Sequence, residues 1–185
     1  MTSASTIVPN SRRRRWRSRF LADQNGATAV EFGLVAAPFI ALLVAIIQSF
    51  LVIFASQLLE TVVMQASRQI LTNQAQNGSM TQTGFKNLVC AQIAILFNCS
   101  GLMVDVQTVS SFSSTSTAPP VLTFNAQGNV TNAWQYNPGN PGDIVVVRVM
   151  YQWPVFLGPL GFTLSNLANG NRLIMASAAF QNEPL

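Results

Sequence analysis

Residues 27–55 are apolar apart from one ionisable side chain, Glu31, and the strongest run, 32–47, resumes after Gln48 and Ser49 as 50–55. That length exceeds the roughly 20 residues with which a helix crosses a bilayer. A secretory signal peptide has an apolar core of about 7 to 15 residues with its cleavage site behind it, so 27–55 reads as a transmembrane helix. The pattern then changes without a stop. Leu58, Leu59, Val62, Val63, Ala66, Ile70 and Leu71 recur at helical spacing among Gln57, Glu60, Thr61, Gln65, Ser67, Arg68 and Gln69, which predicts an amphipathic extension over 56–78 growing directly out of the membrane helix. Residues 73–79, with Gly78, are expected to end it. A helix over about 27–72 would be on the order of 70 Å long, its first half suited to lipid and its second to a partner surface.

The remaining residues, 79–185, alternate differently. Residues 80–97 read as a second amphipathic helix, with Phe85, Leu88, Val89, Ile93 and Leu96 on one face. Leu102, Val104 and Val106 alternate with Met103, Asp105 and Gln107 as a strand, and 121–124 is a shorter candidate. Residues 144–151, valine-rich and launched by the turn sequence 137–142, form the clearest strand. Residues 173–180 read as another, although their alanines suit a helix as well. Residues 110–120, nearly all serine, threonine and proline, are expected to be an exposed loop. The sum is an α+β fold: a long N-terminal transmembrane and amphipathic helix, a second helix and a small antiparallel sheet.

Charge sharpens this division. Only 9% of residues are charged and 49% are hydrophobic, a charge deficit that a membrane component explains. The net charge of +4 resembles a nucleic-acid signal until it is mapped. Arg12, Arg13, Arg14, Arg15, Arg17 and Arg19 supply most of it, so 1–26 is a basic leader; beyond Gly26, four basic side chains face five acidic ones. Arginines beside an apolar segment mark the cytoplasmic side of a membrane. No nucleic-acid-binding fold or interleaved aromatic set follows them, and no nucleic-acid partner is expected.

Three features inside these elements require separate treatment. Pro38 cannot donate to the carbonyl of Leu34; it either kinks or locally unwinds the helix over 34–38 or is tolerated, as in many membrane helices. A carboxylate at Glu31 costs roughly 2.5 to 3.5 kcal/mol in hydrocarbon, unless it lies at the headgroup level or finds a partner. Cys90 and Cys99 are the only cysteines. On one straight helix they would stand about 13 Å apart, too far for a disulfide, so a bond requires the chain to turn back near Asn98; two buried thiols are the alternative.

The segment GATAVEFGLVAAPFIALLVAIIQ, residues 26–48, resembles the start of TadE-like proteins, the pseudopilins or minor pilins of the tight-adherence (Flp) type IV pilus system. Gly26, Val30-Glu31-Phe32, Leu34-Val35-Ala36 and Pro38-Phe39 carry the resemblance, with the basic leader in its proper place. More loosely, residues 143–151 followed by Gln152-Trp153-Pro154, then 173–180 and Glu183-Pro184, fit the family outline of a late strand, an aromatic-proline segment, a final strand and a Glu-Pro-like tail. The resemblance implies a type IV pilin-like fold and cleavage between Gly26 and Ala27 by an aspartic prepilin peptidase acting from the cytoplasm. Glycine leaves the backbone open to such an active site, and Glu31 and Phe32 belong to the processing and assembly motif.

Cleavage would leave an amine on Ala27 that Glu31, four residues along the same helix face, could neutralise within one helix or between subunits. The implied partners are the prepilin peptidase, other Tad/Flp pilus subunits, inner-membrane assembly proteins and the membrane. The implied location is the bacterial cytoplasmic membrane, crossed once, with the N-terminus cytoplasmic and 79–185 periplasmic. There a disulfide between Cys90 and Cys99 would persist. The resulting expectation is a membrane-anchored pseudopilin or minor pilin for pilus assembly and surface adherence. Its alternative is a signal-anchored single-pass protein whose outer domain binds a partner and never enters a filament.

Nothing points to catalysis. Without histidine no Ser-His-Asp or Cys-His arrangement forms, no phosphate-binding glycine loop occurs, and two cysteines without histidine make no zinc site. Asp105, Asp143 and Glu183 are scattered in sequence, so no acid–base pair, metal or cofactor is expected. Residues 153–160, apolar and proline-bearing, form either a plug under the sheet or a contact with membrane or a partner subunit.

Overall fold

The structure is a computed structural model that describes residues 26–116, 118–156 and 161–184. Residues 1–25 of the expected basic leader (1–26) and part of the apolar loop, 157–160, lie outside the described residues. The chain divides into two units, Met1–Val44 and Ala45–Leu185.

What is described of the first unit is the opening of one helix, α1, Ala27–Leu71. Its apolar side chains there are uncovered: Phe32 is 74% exposed, Leu34 71% and Val35 70%. Pro38 lies inside α1 without interrupting it.

In the second unit α1 buries a stripe. Val52, Ala55, Leu59, Val62, Val63, Ala66 and Ile70 are buried, at the three- and four-residue spacing of one helix face. The stripe begins at Val52, within the stretch that hydropathy alone reads as membrane-spanning. Apolar composition cannot distinguish a side chain facing lipid from one facing a protein core.

The helix stops at a residue other than the glycine. Asn73 takes a left-handed conformation (φ 58°) and is followed by a single-turn helix, α2, Gln74–Asn77. Ser79 is also left-handed (φ 49°), whereas Gly78 is not. The N–H of Ser79 donates to the Gln76 carbonyl and that of Met80 to the Ala75 carbonyl, at 3.1 and 2.8 Å, which is the paired bonding of a Schellman cap.

The next helix, α3, spans Gln82–Ile93, and the Thr81 side chain caps it by accepting the Gly84 N–H. It is shorter than the periodicity over 80–97 predicts. The N–H groups of Leu96 and Phe97 both donate to the Ile93 carbonyl at 3.0 Å, and this tightening turns Phe97 into the core. A 3-10 turn at Cys99–Gly101 follows. Gly101 makes a close fit there, because a Cβ would lie 3.0 Å from the Tyr151 ring and push it aside by a few tenths of an ångström.

Three strands, β1 (Met103–Val109), β2 (Ile144–Trp153) and β3 (Arg172–Gln181), form an antiparallel sheet in the order β1-β2-β3. The register aligns Val104 with Val149 and Val106 with Val147, and sets Ala178 and Ala176 beside the same two β2 valines. Val104, Val106, Val145, Val147, Val149, Ile174 and Ala176 join Phe85, Val89, Ile93 and the α1 stripe in one core. The alanines of β3 adopt a strand because pairing with β2 overrides their weak intrinsic preference.

Residues 121–124 are not a strand of this sheet; only Phe124 makes a bridge, to Val130. The segment folds instead into a short hairpin, with the Thr131 N–H donating to the Thr123 carbonyl and the Asn125 N–H to the Asn129 carbonyl, each at 2.9 Å, while the Thr123 N–H donates to Asn132 Oδ1 at 2.7 Å. The outer edge of β1 is met instead by the segment around Tyr136. The Val106 N–H donates to the Gln135 carbonyl, and the Asn137 N–H donates to the Val106 carbonyl, each at 2.9 Å.

The left-handed strain at Ser79 is a local cost that glycine would relieve. Ser79→Gly is expected to raise the unfolding free energy by about 1 kcal/mol, read by denaturant titration of the purified chain in detergent.

Candidate functional site

The candidate processing junction is built from the first two turns of α1. Gly26 is exposed immediately before the helix, and Glu31 and Phe32 are exposed on it. Ala27 and Glu31 are four residues apart in the same helix and therefore share a face. A Cβ at Gly26 would meet nothing within 4 Å, and Gly26 has no positive φ. The fold itself makes no demand for glycine at this position. Among the described residues Glu31 has no ion pair.

The surface that follows is uncovered and apolar. No described residue of 28–51 is buried. By length and composition α1 is the one helix among the described residues able to cross a membrane.

Cys90, in the last turn of α3, and Cys99, opening the 3-10 turn, stand as a pair with Cα atoms 5.6 Å apart, within the span a disulfide bridges. They come together because α3 ends at Ile93 and the chain turns back before Asn98, a reversal that a helix over 80–97 would not permit.

The apolar segment that begins at the end of β2 divides between two roles. Trp153 packs edge-on to Phe97, with ring centroids 5.6 Å apart, and Tyr151 packs edge-on to the same ring at 5.0 Å. Phe156, three residues on, is 75% exposed. Its carbonyl accepts a hydrogen bond from Gln48 Nε2 at 3.2 Å.

The acidic residues are brought to separate places. Asp105, 4% exposed in its side chain, pairs with Arg148 Nη2 at 2.9 Å across β1 and β2. Gln107 Nε2 donates to both its carboxylate oxygens at 3.0 Å, and the Gln135 N–H donates to Oδ1 at 3.1 Å. This arrangement fully engages the carboxylate. Asp143 Oδ2 accepts the Asn140 N–H at 2.8 Å and closes a turn.

Glu183 acts through its backbone, the N–H donating to the Leu71 carbonyl at 2.9 Å and its carbonyl accepting from Asn73 Nδ2 at 2.8 Å. Beside it Asn182, 1% exposed, donates from Nδ2 to the carbonyls of Pro138 and Asn140. The Pro138 carbonyl also accepts from Gln76 Nε2 at 2.9 Å. The end of α1, α2, the turn before β2 and the tail after β3 are thus tied in one polar knot. Sequence reading singled out neither the ion pair nor the knot. The placement of Asp105 opposite the Leu102, Val104 and Val106 face offered a hint of the first, but its partner lies 43 positions away.

No group of three metal-ligating side chains occurs among the described residues. Residues 26–68 match the family model described as TadE-like protein, a segment that covers under a quarter of the chain. TadE-like proteins are structural and adhesion components, not enzymes. No curated protein matches the chain, and no solved structure does. The matched segment begins at Gly26 and includes both the uncovered apolar surface and most of the stripe that packs on the sheet.

Arg148→Met alone would strand the buried Asp105 carboxylate and is expected to cost about 3 kcal/mol of unfolding free energy. Adding Asp105→Asn removes the uncompensated charge while keeping an acceptor for the Gln135 N–H, and recovers at least half of that loss. Chemical denaturation of the two variants and the wild type measures both steps.

Proposed function

We propose that this protein is a TadE-like pseudopilin or minor pilin, made as a precursor, held in the bacterial cytoplasmic membrane by α1 and used in assembly of a tight-adherence (Flp) pilus. The observation that carries this reading is that the TadE-like match begins at Gly26, where the fold leaves a glycine no steric purpose. Glycine there leaves the backbone open to a prepilin peptidase cutting between Gly26 and Ala27. The basic leader holds the N-terminus in the cytoplasm before the cut, and 79–185 lies on the periplasmic side.

Cleavage removes most of the positive charge and leaves an amine on Ala27. Glu31, exposed one helical turn away, neutralises that amine within its own helix or on a neighbouring subunit. The apolar surface of α1 serves lipid before assembly and packs against other pilus subunits afterwards. In the periplasm Cys90 and Cys99 are oxidised to a disulfide.

Mass spectrometry of the chain extracted from membranes tests this. The mature protein is expected to begin at Ala27, to be resistant to thiol alkylation until reduced, and to remain uncut in Gly26→Val. Retention of residues 12–19 in the wild type would favour a plain signal anchor. Glu31→Ala is expected to be cut yet depleted from purified pili; assembly at wild-type level would remove the charge-pairing role.

A further inference from the structure

Two features of Ala45–Leu185 meet at one level of α1. Val52 and Ala55 are buried, so from Val52 onward one face of the helix is covered by protein. One turn earlier, Gln48 holds the Phe156 carbonyl, and residues 153–156 close a small apolar cleft with Gln48, Leu51 and Val52. The loop after β2 therefore meets the helix at Gln48. Beside this point apolar side chains face outward. Phe156 is 75% exposed on the loop, and on α1 Phe50 and Ile53 are 64% and 62% exposed, with Phe50 stacked on Phe54.

Counting back from Gln48, residues 28–47 supply on the order of 30 Å of helix, the thickness of bilayer hydrocarbon. Their only ionisable side chain is Glu31. Gln48 and Ser49 are then the first polar pair at the far end. The apolar residues 50–55 exceed what the span needs, and two of these six, Val52 and Ala55, are buried against the domain.

We infer that the hydrocarbon boundary on the domain side lies at Gln48, and that the loop at 153–156 inserts into the phospholipid interface there, so that the domain rests on the bilayer surface. The occupant of the exposed patch is lipid because the patch is continuous, on the same helix, with a segment that lipid must surround. Aromatic side chains are favoured at this depth, where a ring meets acyl chain on one side and headgroup on the other. The inference rests on the reading of α1 as a membrane anchor.

The full chain is reconstituted in vesicles of phosphatidylcholine and phosphatidylglycerol, with Trp153 as the probe after Trp16→Phe and Trp134→Phe. Nitroxide labels are placed near the lipid carbonyls or deep in the acyl chains, and iodide probes the aqueous side. Expected are quenching of Trp153 by the shallow label above the deep one, protection from iodide, and loss of the shallow preference on Phe156→Glu. The wild-type chain, with its three tryptophans, loses the same increment on Phe156→Glu, so the outcome does not depend on the tryptophan replacements folding well.

Quenching by iodide and not by lipid labels overturns the inference. Shielding from iodide and lipid labels alike, as contact with a second protein would produce, overturns it as well. Extraction of the chain by alkaline carbonate overturns the anchor reading and this inference together, whereas a carbonate-resistant chain without shallow quenching overturns this inference alone.

Discussion

One helix has to satisfy two environments, and the rest of the structure follows from how α1 divides them. Through residue 51 no described side chain is buried. From Val52 a single stripe is buried, and from Ala55 to Ile70 it joins the sheet and α3 in one core. A small domain with three strands and one substantial helix of its own buries little apolar surface unaided. The α1 stripe supplies the missing layer: Leu59, Val63 and Ile70 are among the largest fully buried side chains. The long apolar run and one layer of the core thus belong to a single helix.

Polar interactions hold the register that this packing needs. The Asp105–Arg148 pair locks β1 to β2 from the face opposite the valines. The knot around Asn182 ties the end of α1 to the turn at 138–140 and to the tail after β3. Both are specific because their groups are buried, where a missing partner costs more than a present one contributes. Gly139 completes the knot, since its positive φ of 70° and a Cβ position 2.9 Å from Thr108 Cγ2 leave room for no other residue.

Glycine at 101 and 139 has a steric reason inside the domain, while glycine at 26 has none. The uncovered helix beyond the junction is likewise unexplained by the domain, and lipid or neighbouring subunits are the environments that would cover it.

Much of this was legible in the chain itself. The apolar run, the amphipathic stripe from Leu59 to Ile70, the second helix and the three strands follow from periodicity, because burial on one face writes a repeat into local sequence. The processing junction proposed at Gly26 rests likewise on contiguous residues. Three outcomes needed the tertiary structure: the start of the covered stripe at Val52, the reversal after Ile93 that brings Cys90 to Cys99, and the pairing of Asp105 with Arg148. Each depends on residues that meet only after the chain has folded back, and no local pattern records which apolar face finds protein or which buried charge finds its partner.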